Sequence, residues 1–272
     1  MNLESYFISQ FNNKHIGDDG AVITNYVYSK DAFFEGVHYK KIWLNYYQIA
    51  RKAMLVNISD AVAMNAEPKY ALLSVAMPSH ISKKEMKDLA DGFKSVANEY
   101  NIEIIGGDTI SNTKLDITIT IISRTKKALL RSNIRNGYLF AYTGELGNAA
   151  KDLKKLFNLG KVHKKSKFVN ICLRANFVKK SARVLKSGMD ISDGLFSDLS
   201  KMTSINNIGV KFHKPMTKNV GCSGEEYEML VAFDKRHKKA MLRYAKLART
   251  PLHIFATAVR NKYKNRCKAH HF

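Results

Sequence analysis

Apolar positions recur along this chain at two periods, and the switches between them sketch its elements. Residues 46–58, Y-Y-Q-I-A-R-K-A-M-L-V-N-I, place Ile49, Ala53 and Val56 at helical spacing without proline or glycine, which predicts a core-facing helix. The run Y-A-L-L-S-V-A-M-P reads as a buried strand stopped at Pro78. Residues 82–100 read as an amphipathic helix, with Ser82 as N-cap and Glu85 completing a capping box. I-E-I-I then predicts a short strand that ends at Gly106-Gly107. From Leu115 the sequence L-D-I-T-I-T-I alternates strictly, so Leu115, Ile117, Ile119 and Ile121 share one face of a half-buried strand.

The apolar pattern lapses between Arg124 and Arg135, and a domain boundary is expected there, dividing the chain into residues 1–126 and 127–272. Residues 137–143 resume as a short strand. Helices are predicted over 148–159 and 172–185 and from Gly194 onward, with strands at 229–233 and near 252–257. Strands and helices mixed in this way predict an α/β (α+β) fold of two units, each a sheet covered by helices.

Composition narrows the class. A chain of 272 residues with 45% hydrophobic and 25% charged residues is globular, and no apolar run approaches the roughly 18 residues that span a bilayer. No membrane partner is expected. The opening M-N-L-E-S-Y-F lacks both a basic segment and an apolar run, so a cytoplasmic protein is expected. Cys172, Cys222 and Cys267 are far apart and odd in number, which predicts ordinary thiols. The formal net charge of +22 raises the question of a polyanionic partner. The densest basic tracts, 151–155, 161–167 and 260–268, do not interleave aromatic residues as a stacking surface would. Nucleic acid is therefore not the expected partner.

Against that basic background the acidic residues are concentrated. Gly17-Asp18-Asp19-Gly20, Ser29-Lys30-Asp31, Asn57-Ile58-Ser59-Asp60, Gly106-Gly107-Asp108-Thr109 and Asp190-Ile191-Ser192-Asp193-Gly194 each set a carboxylate at a turn or a helix mouth. With G-E-E-Y-E from Gly224, they hold roughly half of the 23 acidic residues. Singly, each is explained as a cap or a turn residue. Together, convergent carboxylates would repel unless cations intervene, and magnesium suits oxygen ligands beside phosphates. No His/Cys cluster has zinc spacing, His270-His271 reads as a tail, and no Walker loop or kinase catalytic loop is present. T-G-E-L-G-N-A-A, from Thr143, follows a strand and could present its amides to an anion, though alone it reads as an ordinary turn.

In order along the chain, G-D-D-G-A, S-K-D-A-F-F-E-G-V-H, N-I-S-D-A-V-A-M-N-A-E-P, I-G-G-D-T, the R-S-N from Arg131, T-G-E-L-G, D-I-S-D-G-L-F-S-D-L and S-G-E-E-Y-E-M-L resemble the landmarks of the thiamine-monophosphate kinase family. That resemblance implies a two-domain aminoimidazole ribonucleotide synthetase-like fold, with ATP bound between an N-terminal ATP/metal-binding and dimerisation domain and a C-terminal domain, and a homodimer joined through N-terminal sheets. It implies ATP-dependent phosphorylation of thiamine monophosphate to thiamine diphosphate by direct in-line transfer with several Mg2+ ions and ATP as co-substrate. By position, Asp19, Ser29, Asp31, Asp60, Asp108, Asp190 and Asp193 match metal ligands. Gly107, Asp108, Arg131 and Ser192 match ATP contacts, while His38, Glu226 and Phe272 stand at substrate-contact positions. No residue is nominated as a general base. Three departures stand out: Lys30 replaces a threonine, Cys222-Ser223-Gly224 replaces Ser-Gly-Gly, and Glu226 replaces an aspartate.

Other readings remain at this point. A selenophosphate synthetase would need a reactive cysteine near its start, and none precedes Cys172. A hydrogenase-maturation relative ends in a functional cysteine, whereas Phe272 closes this sequence. A basic RNA-associated protein that kept the fold without catalysis is the alternative from a different class.

Overall fold

A computed structural model describes residues 3–11 and 13–268. Phe272 and the His270-His271 pair lie outside the described residues. The first lobe runs α1 (Leu3–Ser9), β1 (Ala21–Ile23), β2 (Tyr26–Phe34), α2 (Tyr46–Ala63), β3 (Glu67–Pro78), α3 (Lys83–Tyr100), β4 (Glu103–Asn112) and β5 (Asp116–Arg124). The second runs β6 (Leu139–Thr143), α4 (Asn148–Phe157), α5 (Ala175–Ser181), β7 (Leu185–Asp190), α6 (Leu195–Ile205), β8 (Gly209–Phe212), α7 (Lys218–Gly221), β9 (Met229–Phe233), a short 3-10 turn, α8 (Lys238–Leu247) and β10 (Leu252–Val259).

The first sheet has the order β1-β2-β5-β3-β4. Its neighbours are antiparallel except β3 and β4, whose parallel pairing uses α3 as the crossover. The capping box at its start is formed, Ser82 Oγ accepting from the Glu85 amide at 3.2 Å and Glu85 accepting from the Ser82 amide at 2.8 Å. On β5, Ile117, Ile119 and Ile121 are fully buried, as their alternation predicts. The second sheet, β7-β9-β6-β10-β8, is antiparallel throughout.

Helix α2 lies against β2 and β5 and also touches β7 of the second lobe. Fourteen of its 18 residues are buried, including Lys52, Asn57 and Ser59. A helix packed on both sides has no solvent face to mark with polar residues, so its buried polar groups need partners inside. Those partners, described below, place the helix at the centre of the candidate site.

The glycines Gly106-Gly107 do not end β4 as expected; the strand runs through them. Both have positive φ, +148° and +147°. A Cβ on Gly107 would lie 1.6 Å from the Leu73 carbonyl oxygen, whereas one on Gly106 would meet nothing closer than a Leu73-adjacent side chain, Leu72, at 3.7 Å. The predicted 172–185 helix also shortens to α5, because Leu185 already opens β7. Strand β2 went unpredicted since Ser29, Lys30 and Asp31 interrupt its apolar alternation.

The expectation of three free thiols is corrected. Cys222 and Cys267 form a disulfide with a Cα–Cα separation of 5.6 Å, and Cys172 is the free thiol. The two partners are 45 residues apart, and the chain after β10 returns alongside α7 to bring them together. Linear spacing carries no trace of that return. Among the described residues no helix is long and apolar enough to cross a membrane.

The two adjacent glycines predict unequal mutational costs. Gly106→Ala should cost about 1–3 kcal/mol, the strain of its backbone alone. Gly107→Ala should cost roughly 4 kcal/mol or more, since two paired strands must separate. Urea denaturation of both variants checks this, and equal losses would contradict the close approach at Leu73.

Candidate functional site

A cleft of about 740 Å3 opens between the lobes. Three acids from three separate segments meet in it: Asp19 from the turn before β1, Asp60 from the last turn of α2, and Asp190 at the end of β7. One carboxylate oxygen of each lies within 4.8 Å of the others. Asp31 on β2 and Asp193 in the turn before α6 line the same cleft.

Asp190, Asp31, Asp19 and Asp193 are each held by a neighbouring group. Ser59 Oγ donates to Asp190 Oδ2 at 2.7 Å, so α2 of one lobe grips the strand end of the other. Asn57 donates to the Ala53 carbonyl and accepts from the Asp31 amide at 2.7 Å, joining α2 to β2. Arg131, on the connection between lobes, bonds Asp19 Oδ1 through Nε at 3.2 Å and also through Nη2. Its own amide donates to Asp18 Oδ1 at 2.7 Å. Lys201 on α6 bridges Asp193 Oδ2 at 2.6 Å and Asp198 Oδ1 at 2.9 Å.

Burial and mutual repulsion set the electrostatics. Burial first, then the charges of Asp31, Asp190 and Asp19, pushes the Asp60 carboxyl well above the ordinary carboxylate range. Burial and then Asp19 do the same to Asp190. Asp31 is raised to about 6 by burial and by Asp19 and Asp193. Burial also raises Asp19, against the opposing pull of Arg131. The side chain of Asp19 is 2% exposed, and its Oδ2 is buried without a hydrogen-bond partner. An orphaned carboxylate oxygen inside a cage of hard oxygen donors fits a divalent cation such as Mg2+.

The remaining sequence candidates fall in several places. Arg131, Ser192 and His38 line the cleft. His38 Nδ1 accepts from the Phe34 amide at 2.9 Å, with the ring stacked on Phe33. Ser29 is buried on β2, its hydroxyl directed to the Asn57 carbonyl at 3.4 Å. Gly107 and Asp108 stand on the exposed edge strand β4, where Asp108 Oδ1 accepts from the Thr109 amide. This chain does not bring them to the carboxylate cage. Lys30, the departure at the threonine position, donates to Thr118 at 3.0 Å rather than to an acid.

Glu226, expected as a substrate contact, is turned inward. It is 1% exposed, and its Oε1 accepts from the amides of Gly147 and Ala149 and from Ser223 Oγ. Its Oε2 pairs with Lys167 at 3.0 Å. The anion that the T-G-E-L-G-N-A-A amides receive is thus this internal carboxylate at the mouth of α4. The neighbouring Glu225 lines the cleft instead, its Oε2 held at 2.6 Å by the fully buried Lys52. Sequence reading missed Glu225, Lys52, Lys201 and Asp198. For Lys201 a signal existed: it stands three residues after Asp198 on one helix face.

The folded chain holds protons on these carboxyls at pH values where an unfolded chain has released them. The stability they contribute therefore falls as pH rises from the ordinary carboxylate range through about 6, the value for Asp31. In metal-free buffer Asp60→Asn should melt several degrees above the parent at about pH 7.5, with the gain shrinking toward about pH 5. Parallel melting curves at both pH values would show that Asp60 does not strain the fold.

The chain is similar to known proteins over most of its length. The family described as AIR synthase related protein, N-terminal domain, matches residues 17–125. The thiamine-monophosphate kinase of Nitrosopumilus maritimus (strain SCM1) is 31% identical over 226 residues, 75% of this chain and 72% of that protein. That of Buchnera aphidicola subsp. Schizaphis graminum (strain Sg) is 31% identical over 264 residues, 84% and 79% of the two chains. Among solved structures, AaThiL complexed with AMPPCP and TMP superposes with a TM-score of 0.88 at 21% identity, covering 99% of this chain and 96% of that one. The hydrogenase maturation protein HypE in complex with ATP gives 0.68 at 15%, covering 95% and 87%. These two likenesses show a shared fold.

Proposed function

The chain belongs to the thiamine-monophosphate kinase family, and on that premise we propose that it transfers the terminal phosphoryl group of ATP to thiamine monophosphate, giving thiamine diphosphate. The observation that carries the proposal is the convergence of Asp19, Asp60 and Asp190 within 4.8 Å in the inter-lobe cleft. A relative whose complex contains an ATP analogue and TMP supports the substrate pair.

The residues divide the work by position. Asp19, Asp60 and Asp190 would hold Mg2+, with Asp31 and Asp193 beside them in the same cleft. Held by these residues, such ions would screen the repulsion between two phosphate-bearing substrates and would offset charge on the transferring group. Arg131 and Ser192 take the nucleotide side, and His38, its ring fixed by the Phe34 amide and by Phe33, takes the acceptor side. No general base is required, since the accepting phosphate oxygen is already an anion. In-line transfer then depends on positioning and charge, without a covalent intermediate. Glu226 is withdrawn from the substrate set because it is 1% exposed and its Oε1 is committed inside the fold. A cytoplasmic setting belongs to the same proposal and would expose the Cys222–Cys267 bridge to thiol reductants.

The second part of the proposal is a homodimer. On the first lobe, Ile105, Ile110, Tyr70 and Leu72 are exposed along β4 and its neighbour β3, and an apolar unpaired edge invites a second copy. The same pairing would cover Gly107 and Asp108. Sedimentation should give a dimer that Ile110→Lys converts to monomer; a monomeric parent would remove this part.

The kinase reading is tested by ADP release with ATP, thiamine monophosphate and Mg2+. Asp60→Asn, which removes charge without changing shape, should lower kcat by at least about a hundredfold while the protein stays folded. Full activity in that variant would contradict the metal assignment.

A further inference from the structure

Unlike the acidic cleft, a second cavity, of about 500 Å3, is walled by bases. It lies where the lobes join. The connecting segment contributes Lys127 and Arg135, the start of β7 contributes Lys186, and the turn after β9 contributes Asp234, Arg236 and His237. The one acid in this wall is already matched, since Asp234 Oδ2 accepts from Arg236 Nη2 at 2.7 Å and from its Nε at 3.1 Å. Lys127, Arg135 and Lys186 are not matched: among the described residues none of these three side chains has an acid or a hydrogen-bond partner. His237 adds a further polar group, its Nδ1 buried without a hydrogen-bond partner. Buried polar atoms are almost always paired, so an orphan on the wall of a cavity is accounted for by an occupant. Scattered surface lysines are ordinary in a chain of net charge +22, but cations converging on one cavity that holds no free acid make an anion site.

We propose that this cavity binds a diphosphate group, carried by inorganic diphosphate or by a small organic diphosphate. A diphosphate, with oxygens on two phosphorus atoms, can meet several separate cations at once, where a single carboxylate would leave most of them unmatched. The phosphoryl transfer proposed above releases two such molecules, ADP and thiamine diphosphate, so the choice of ligand rests on that reading, whereas the anion site itself does not. Tyr138 and Leu185 line the same cavity and offer apolar surface to a ring attached to the diphosphate. The position of the cavity gives an occupant leverage. Asn65 Nδ2 donates to the Lys127 carbonyl at 3.1 Å, the Gly188 amide to the Leu130 carbonyl at 3.1 Å and Ser187 Oγ to the Arg131 carbonyl at 2.8 Å. The segment that walls the cavity is thus the one that carries Arg131 to Asp19, and an anion spanning Arg135 and Lys186 would tie it to β7, the strand that ends in Asp190.

Titration calorimetry in metal-stripped buffer at low salt isolates the site, because the bare carboxylate cleft repels a diphosphate while the basic cavity attracts it. Inorganic diphosphate, ADP and thiamine diphosphate are titrated in turn. At least one should bind saturably; equal affinities would assign the inorganic group as the ligand, and tighter binding of one organic diphosphate would assign that molecule. Arg135→Ala and Lys186→Ala, at positions whose side chains hold nothing else in the fold, should each raise the Kd about tenfold. Binding that survives both substitutions but is lost in Arg131→Ala would place the diphosphate in the cleft and overturn the proposal. Equal binding of sulfate would reduce the cavity to a general counter-ion site and overturn it as well. ADP release by a protein that binds no diphosphate without metal would overturn it while leaving the kinase reading intact. Saturable binding weakened by both substitutions, without ADP release, would uphold the site and remove the kinase reading.

Discussion

Like charges held together out of water dominate this molecule. Three carboxylates from two lobes share a space less than 5 Å across, each oxygen pair within 4.8 Å, and burial makes their repulsion more costly than it would be in solvent. The fold tolerates this through hydrogen bonds that fix two of them, Ser59 on Asp190 and Arg131 on Asp19, and through Asn57 on the backbone of the neighbouring Asp31. None of these cancels the charge of Asp60. Carboxyls raised in this way by burial and by one another are the usual condition of a preorganised functional site.

A second acidic cluster in the same chain shows what a purely structural solution looks like. Glu228 is as buried as Asp19, yet its carboxylate accepts two bonds from Arg174 at 2.7 Å, one from Lys167 at 2.9 Å and one from Thr143 at 2.7 Å. Despite the upward push of burial, those partners hold Glu228 below its ordinary range. Even a glycine serves it, since a Cβ on Gly144 would fall 1.9 Å from Glu228 Oε1. Glu226 beside it has its Oε1 satisfied by the amides at the mouth of α4 and by Ser223, while its Oε2 lies 3.0 Å from Lys167 and accepts no hydrogen bond. Glu228 is matched by cations and a hydroxyl and its carboxyl is lowered, whereas Asp60 and Asp190 in the cleft are raised by burial and by one another.

That distinction explains what the sequence could and could not convey. Regular elements were legible wherever one face alone was buried, as in β5 and in α3 with its capping box. The acidic turns were legible as a set because they stand out from a chain of net charge +22. What stayed hidden depended on which way neighbours point. Glu225 and Glu226 are adjacent and chemically alike, yet one faces the cleft and the other the interior. Both Glu225 and Tyr227 adopt positive φ, +57° and +49°, so the backbone there follows neither a strand's alternation nor a helix's period. The disulfide and the separation of Asp108 from the cage likewise depend on chain paths that spacing does not encode.

Helix α2 ties these features into one device. It packs on the first sheet, touches β7 of the second lobe, and carries Lys52, Asn57, Ser59 and Asp60 within nine residues of one another. Through Ser59 it fixes Asp190, and through Lys52 it fixes Glu225, two residues of the opposite lobe. Lys52 is fully buried, and burial lowers its pKa against the opposing pull of Glu225. A charge in that position costs more than a packed apolar side chain would. Its contribution is therefore geometric: it registers the second lobe against the helix that carries Asp60, so that the carboxylates of the two lobes are set by the same rigid element.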